Sequence, residues 1–195
     1  MRAIALASLV VSIGSIGCAS FRSGAVPPTQ PWPPAAAASK KSISLVLAGS
    51  ATQNNGTPID PPPGMVSKWR TWTEAAYRDS ALFSAVLAED LPSDVRAEVR
   101  ITDTGEGSQG LAFISGLTLT LIPAKATDTI TLHTEFKSSK GELLATIEKS
   151  DSLHTWIQLF MVFVMPFHWP ASEAGSLFTE LNRATLAEAH AQGVI

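Results

Sequence analysis

Hydrophobic and polar residues alternate along several short stretches of this 195-residue chain. The alternation is most regular over 94–102, where Val, Ala, Val and Ile take every second position between Arg, Glu and Arg. A period of two residues predicts a half-buried antiparallel strand. The other stretches predicted as strands are 42–47, 117–121 with a start as early as 111, 130–136 and 143–147, the last two joined by a hairpin connection at 137–141.

Two stretches have the spacing of amphipathic helices. Thr71 and Glu74 match a capping box, and the apolar residues that follow at helical spacing predict a helix ending near Asp90. A final helix is expected to be capped by Ser172 and to end just before Gly193. Its predicted core-facing residues are Leu177, Phe178, Leu181 and Ala184.

The order of these elements is one strand, one helix, about four further strands and then helices. Runs of strands followed by helices indicate the α+β class. We therefore expect a mainly antiparallel sheet of about five strands with helices packed on one face. Segments 53–64 and 103–107 are dense in turn-forming residues and are expected to be loops.

The stretch 156–167 (WIQLFMVFVMPF) contains a single polar residue, Gln158. As a helix it would be apolar on all sides, which is typical of an element buried in a core or in lipid. It is short for a membrane span, so a core element and a contact with a membrane or partner protein both stay open. Tryptophans near its ends favour a membrane interface. The aromatic residues that would make such a contact are Trp156, Phe160, Phe163, Phe167 and Trp169.

The beginning of the chain has the layout of an export signal. Arg2 supplies a positive charge, residues 3–16 contain no charged side chain, and Gly17 and Cys18 follow. A charged start, a short apolar core and small residues at the cleavage site define such signals. The apolar run is too short for an ordinary transmembrane helix.

The sequence Ser15-Ile16-Gly17-Cys18 resembles the lipobox of bacterial lipoproteins. The resemblance implies that the Cys18 thiol is joined to diacylglycerol, that the signal is cut before Cys18, and that the new amine is acylated. Ala19 implies sorting to the outer membrane, facing the periplasm. An ordinary export signal with an incidental cysteine, or an uncleaved anchor, are the alternatives.

These features divide the chain into a signal peptide (1–17), a lipidated cysteine with a Pro/Ala-rich tether (18–41) and a single domain (42–195). Proline-rich linkers extend by about 3.1 Å per residue, so the tether would hold the domain up to roughly 60 Å from the membrane. Plain disorder of the same segment is the alternative. Cys18 is the only cysteine, so no intramolecular disulfide can form.

Charge and motif content exclude several classes of function. The net charge is −3 and no Lys/Arg-rich cluster occurs, which argues against nucleic-acid binding. His133 and Glu135 share a strand face, but two ligands do not make a metal site, and no zinc-type spacing is present. We therefore expect no metal and no cofactor. No nucleophile elbow or phosphate-binding loop occurs, although a Ser-His-Asp set assembled from distant positions stays open.

The sequence therefore predicts an envelope lipoprotein, held in the membrane through Cys18, whose non-catalytic domain is an accessory or scaffold for another envelope protein. Its layout is similar to that of small, functionally unassigned lipoproteins of Gram-negative bacteria. The alternatives are a lipid-anchored hydrolase acting on cell-wall or lipid substrates, and a carrier of a small ligand or lipid that would need a concave pocket.

Overall fold

The computed structural model describes residues 17–35, 39–54, 56–88, 91–118 and 120–195. The strands are β1 (Cys18–Arg22), β2 (Ser42–Gln53), β3 (Thr57–Ile59), β4 (Ala85–Ala88), β5 (Val95–Gly107), β6 (Ala124–Ser138) and β7 (Leu143–Ile157). The helices are α1 (Met65–Asp79), α2 (Gln109–Leu117) and α3 (Pro170–Ala191), with a 3-10 helix at Leu159–Phe163. The predicted signal peptide, apart from Gly17, lies outside the described residues.

All seven strands belong to one sheet, in the order β1-β7-β6-β5-β2-β3, with β4 also paired to β2. The pairs β1–β7, β7–β6 and β6–β5 are antiparallel, whereas β5 and β4 both run parallel to β2. The α+β class is confirmed, but the sheet is mixed and larger than the five mainly antiparallel strands expected. The crossover through α1 returns the chain parallel to β2, and the alternation within a strand does not encode that direction.

One face of the sheet packs against α1 and α3 to form the core. The alternation in β5 turns Val95, Ala97, Val99 and Ile101 toward these helices, as predicted. The opposite face of the same strands is polar, and there Lys137 of β6 lies 2.6 Å from Glu98 of β5. The buried helix residues that meet the sheet include Trp69, Tyr77, Leu177, Phe178 and Leu181.

The hairpin and the final helix agree with the sequence predictions. β6 and β7 are joined by a turn at 139–142, and the pairing runs from Lys137 back to Ala124. Helix α3 begins at Pro170 rather than after Ser172. Gly193 follows its end with a φ of 72°, a left-handed conformation that glycine adopts without strain.

The helix predicted from the capping box at Thr71 is displaced. Helix α1 begins after Gly64, and Thr71 lies within it, where its hydroxyl donates to the Ser67 carbonyl at 2.9 Å. The helix ends at Asp79, and Ala85–Ala88 forms a strand instead of continuing toward residue 90. A short strand soon after the helix produced apolar spacing that matched a longer helix.

Three further local predictions are wrong. The strand expected at 117–121, with a start as early as 111, does not form: Gln109–Leu117 is α2, which begins where the Ser108 hydroxyl accepts from the Leu111 amide at 3.2 Å, and Leu121 follows it in irregular structure. Leu119, assigned to the same strand, lies outside the described residues. Residues 103–107 continue β5 rather than forming a loop, and the loop expected at 53–64 contains β3. Pairing with β2 and β6 extends β5, a local hairpin with β2 forms β3, and a helix cap begins α2, and each of these outweighed the local pattern.

The expected tether is instead part of the folded body. β1 adds to the edge of the sheet with Cys18 opposite Ile157, so the domain begins at Cys18 and not at residue 42. The described residues after β1 lie along α3. Val26 is buried, and the Arg183 guanidinium lies 5.4 Å from the centroid of the Trp32 ring. The segment therefore cannot hold the domain away from an anchor at Cys18.

A buried carboxylate fastens this N-terminal segment. Asp151 of β7 accepts from the Arg22 guanidinium at 3.1 Å, the Ser23 hydroxyl, and the amides of Ala25 at 3.2 Å and Ser152 at 2.8 Å. Burial alone would raise the pKa of Asp151, but hydrogen bonds from Ser23, Arg22 and the backbone together lower it. Asp151 is therefore held ionised, with its charge matched by Arg22.

Candidate membrane-anchoring site

Cys18 is the first residue of β1 and lies at a corner of the sheet. Its side chain is half-buried, and burial raises the pKa of the thiol. The carbonyl of the preceding Gly17 accepts from the Gln158 amide at 3.1 Å. The segment after β7 therefore passes directly beside the cysteine.

That segment, 156–169, is not the continuous helix that its apolar pattern suggested. Trp156 is the penultimate residue of β7, the 3-10 helix follows the strand, and turns lead to Trp169, directly before α3. The side chains of Phe163 and Phe167 are 76% and 81% exposed, and Phe160 is also exposed. The alternative that this stretch is a buried core element is therefore wrong.

Helix α2 and the turn after it present a second set of apolar side chains. Phe113 is 68% exposed and Leu117 is 70% exposed. The two sets are neighbours, because the Leu159 amide donates to the Thr120 carbonyl at 3.1 Å. We call the described residues of 111–122 and 156–169 together the apolar face. Its exposed large side chains are Leu111, Phe113, Ile114, Leu117, Leu121, Ile122, Trp156, Phe160, Phe163, Phe167 and Trp169.

Sequence analysis identified the aromatic half of this face and missed the aliphatic half. The signal was present, since residues 107–124 contain no charged side chain, but a strand was assigned there and its apolar residues were expected to be buried. Lys125, which follows this stretch, places its ammonium group 5.7 Å from the centroid of the Trp156 ring. The exposed large side chains of the face are therefore uncharged, with a cation beside one of them.

Contacts around His168 fix the apolar face relative to Cys18. The His168 carbonyl accepts from the Ser20 amide of β1 at 3.1 Å, and its ring lies 4.6 Å from that of Phe21. The Nδ1 atom of His168 is 3.0 Å from Glu173 Oε1 on α3. Strand β1, the aromatic segment and α3 therefore hold one another at this corner.

Large contiguous apolar surfaces mark contacts with a membrane or another protein. In the described part of the chain, no helix is both long enough and apolar enough to cross a membrane. Aromatic side chains such as those of the apolar face are favoured in the interfacial layer of a bilayer.

A Ser-His-Asp set needs a histidine that contacts both an acid and a hydroxyl group. His133 lies 3.3 Å from a carboxylate oxygen of Glu148 and 3.6 Å from one of Glu135. His154 lies 3.0 Å from the Thr127 hydroxyl. Among the described residues, no three His, Cys, Asp or Glu side chains come together to hold a metal ion.

Comparisons with known proteins leave the family of this chain open. No protein-family model and no curated protein matches it. Among solved structures, a protein of the DUF330 family from Xanthomonas campestris is 12% identical, with a TM-score of 0.44, and the match covers 85% of this chain and 91% of that one. A variant PelC dodecamer from Paraburkholderia phytofirmans is 11% identical, with a TM-score of 0.40, covering 88% and 94%. Similarity at this level assigns neither activity nor assembly here.

Proposed function

We propose that this protein is a lipoprotein of the bacterial envelope, anchored through lipidated Cys18 in the outer membrane, with a non-catalytic accessory domain facing the periplasm. One observation supports this most directly: the cysteine predicted to carry the lipid opens the folded body beside an exposed, uncharged apolar face. An anchor and a membrane-contacting surface at the same corner can act on the same bilayer.

The lipid and the apolar face would have separate roles. Two or more acyl chains give stable membrane attachment, whereas one chain binds only marginally. A lipid alone leaves a domain free to rotate, but aromatic side chains entering the interface beside it would hold one orientation. The body would lie against the bilayer, and its polar sheet face would stay available to an envelope protein partner.

The test is metabolic labelling of cells with a clickable fatty acid, followed by membrane fractionation. We expect Cys18→Ala to abolish labelling and to release the protein from membranes, because no other cysteine can carry the diacylglycerol. Ser139→Ala, an exposed substitution in the β6–β7 turn, is the matched control and should keep full labelling. Labelling that persists in Cys18→Ala would refute the anchor.

The accessory role has its own test. Photo-crosslinking in cells from positions on the polar sheet face, such as Arg100, should capture a defined envelope protein. Crosslinking from Phe163 should give lipid adducts instead. A protein captured only from Phe163 would make the apolar face a protein interface and overturn its contact with the membrane.

A further inference from the structure

A cavity of about 240 Å³ lies between the sheet and the two helices that cover it. Trp69 and Trp72 of α1 and Phe178 of α3 form an aromatic wall, with the Trp72 and Phe178 ring centroids 5.2 Å apart. Asp103 of β5 and Asp128 of β6 also line it. An apolar cavity that contains two carboxylates is chemically unusual and needs an explanation.

The two acids lie on the helix-covered side of the sheet. Asp103 is two residues beyond the buried Ile101, and Asp128 is two residues before the buried Ile130. Because strand side chains alternate between the two faces, both aspartates point to the same side of the sheet as the core. A Cβ placed on Gly105 would lie 3.3 Å from Asp128 Oδ1, which shows that the Asp128 carboxyl reaches across β5. Both carboxyls therefore lie on the same side of the sheet, near enough for the charge of Asp128 to act on Asp103.

Among the described residues, neither carboxyl forms an ion pair of the kind that Asp151 forms with Arg22. The Oδ1 atom of Asp103 is buried and has no hydrogen-bond partner among the described residues. Burial, and after it the negative charge of Asp128, raise the pKa of Asp103 to about 6, and burial raises that of Asp128. At neutral pH the two carboxyls thus give the cavity negative charge, and the one cation in its lining, Lys68, is exposed at the surface.

We propose that this cavity binds a primary ammonium group that carries an apolar substituent. The ammonium would donate hydrogen bonds to Asp103 and Asp128, including the unpartnered oxygen, and these charge-assisted bonds are among the stronger ones in proteins. The aromatic wall suits both the substituent and the cation. The size is adequate, since an engineered cavity of about 150 Å³ binds benzene.

Such an ammonium group could come from a free amine or from the headgroup of an amine-bearing phospholipid. The cavity reaches the surface, because the exposed residues Lys68 and Ala171 are among its lining residues. It also approaches the apolar face at one point, since Pro170, which directly follows Trp169, is among its lining residues. The lipid source rests on the proposed membrane contact, whereas binding of a free amine does not.

Calorimetric titration of the purified full chain with 2-phenylethylamine at pH 7.5 tests the site. We expect saturable binding that weakens about tenfold or more in Asp103→Asn and in Asp128→Asn, because each loses a charge-assisted hydrogen bond. The neutral analogue 2-phenylethanol should bind at least about tenfold more weakly for the same reason. Asp94→Asn, which changes a carboxylate hydrogen-bonded to Ser42 far from the cavity, should bind like the unsubstituted protein.

The pH dependence supplies a second signature. The charged lining residues are Asp103, Asp128 and Lys68. A carboxyl is neutral below its pKa, so affinity should fall as the pH drops through about 6, while the amine stays protonated. Absent binding, equal binding of 2-phenylethanol, or unchanged binding in both Asn variants would overturn the proposal. Far-UV circular dichroism of the two variants checks that they are folded.

Competition with vesicles separates the two sources. Vesicles of phosphatidylethanolamine with phosphatidylglycerol should displace 2-phenylethylamine if the ligand is a lipid headgroup, whereas phosphatidylcholine with phosphatidylglycerol should not, because its quaternary amine has no N–H donor. Displacement by neither mixture supports a free amine. Equal displacement by both contradicts the required N–H donor. Fatty-acid labelling of Cys18 is read separately, so failure of the anchor would not be mistaken for failure of the cavity.

Discussion

The Asp151 carboxylate determines whether the N-terminal segment stays on the body, and its removal is a quantitative test of that arrangement. The Asp151 side chain is fully buried and that of Arg22 is 16% exposed. Removing one partner of a buried ion pair costs about 3–5 kcal/mol, because the other charge is left uncompensated. Arg22 keeps some access to water, so Asp151→Ala should lower the free energy of unfolding by about 3 kcal/mol, near the lower end of that range.

Urea unfolding followed by tryptophan fluorescence measures this loss, and hydrogen exchange locates it. Residues 18–22 should exchange faster in Asp151→Ala than in the unsubstituted protein, because β1 is then less firmly held. Glu148→Ala is the control on the same strand, where an exposed ion pair with His133 is worth at most about 1 kcal/mol. A loss below about 1 kcal/mol in Asp151→Ala, or unchanged exchange in β1, would refute the proposed fastening.

The same site should respond to acid in a defined direction. The folded-state pKa of Asp151 is lowered, so its stabilising contribution is complete above the unfolded pKa of about 3.9 and is lost as the pH falls through the lower folded value. The stability difference between the unsubstituted protein and Asp151→Ala should therefore shrink between pH 5 and pH 2. A difference that is constant over this range would contradict the role of the charge.

Two further predictions concern the apolar face and the core. Phe163→Asp, made in a Cys18→Ser background, should weaken binding to phosphatidylethanolamine/phosphatidylglycerol vesicles by about tenfold in a flotation assay, because burying a Phe side chain is worth roughly 1.5–3 kcal/mol. Ser139→Asp in the same background should change vesicle binding little. An equal loss of binding in the two variants would contradict membrane contact through the apolar face. Gly49→Ala would place a Cβ 2.8 Å from the Trp69 ring and should lower the free energy of unfolding in urea by about 1–3 kcal/mol. At Gly116 in α2 an added Cβ meets nothing within 4 Å, so Gly116→Ala should leave the free energy of unfolding unchanged or raise it. Similar losses at the two positions would contradict the close packing of Gly49 against Trp69.

The local sequence pattern is sufficient to predict a strand where one of its faces is buried and the other is exposed to solvent. The alternation in β5 predicted which side chains enter the core, because a strand has a fixed period of two residues. The lone Cys18 after an apolar run gave the expectation of an anchor, and the aromatic content of 156–169 gave the expectation of a special surface. Each of these two expectations depends only on the composition of one short segment of the chain.

The tertiary structure decided everything that depends on residues far apart in the chain. Ser20 and Thr155 are 135 positions apart, and only the free edge of β7 makes the segment after Cys18 a strand rather than a tether. The pairing of β5 with β6 likewise brings Asp103 and Asp128 into one cavity. Sequence patterns report how each residue partitions between water and core. Strand pairing depends instead on residues far apart in the chain, and it determines where Cys18, the apolar face and the two acids lie.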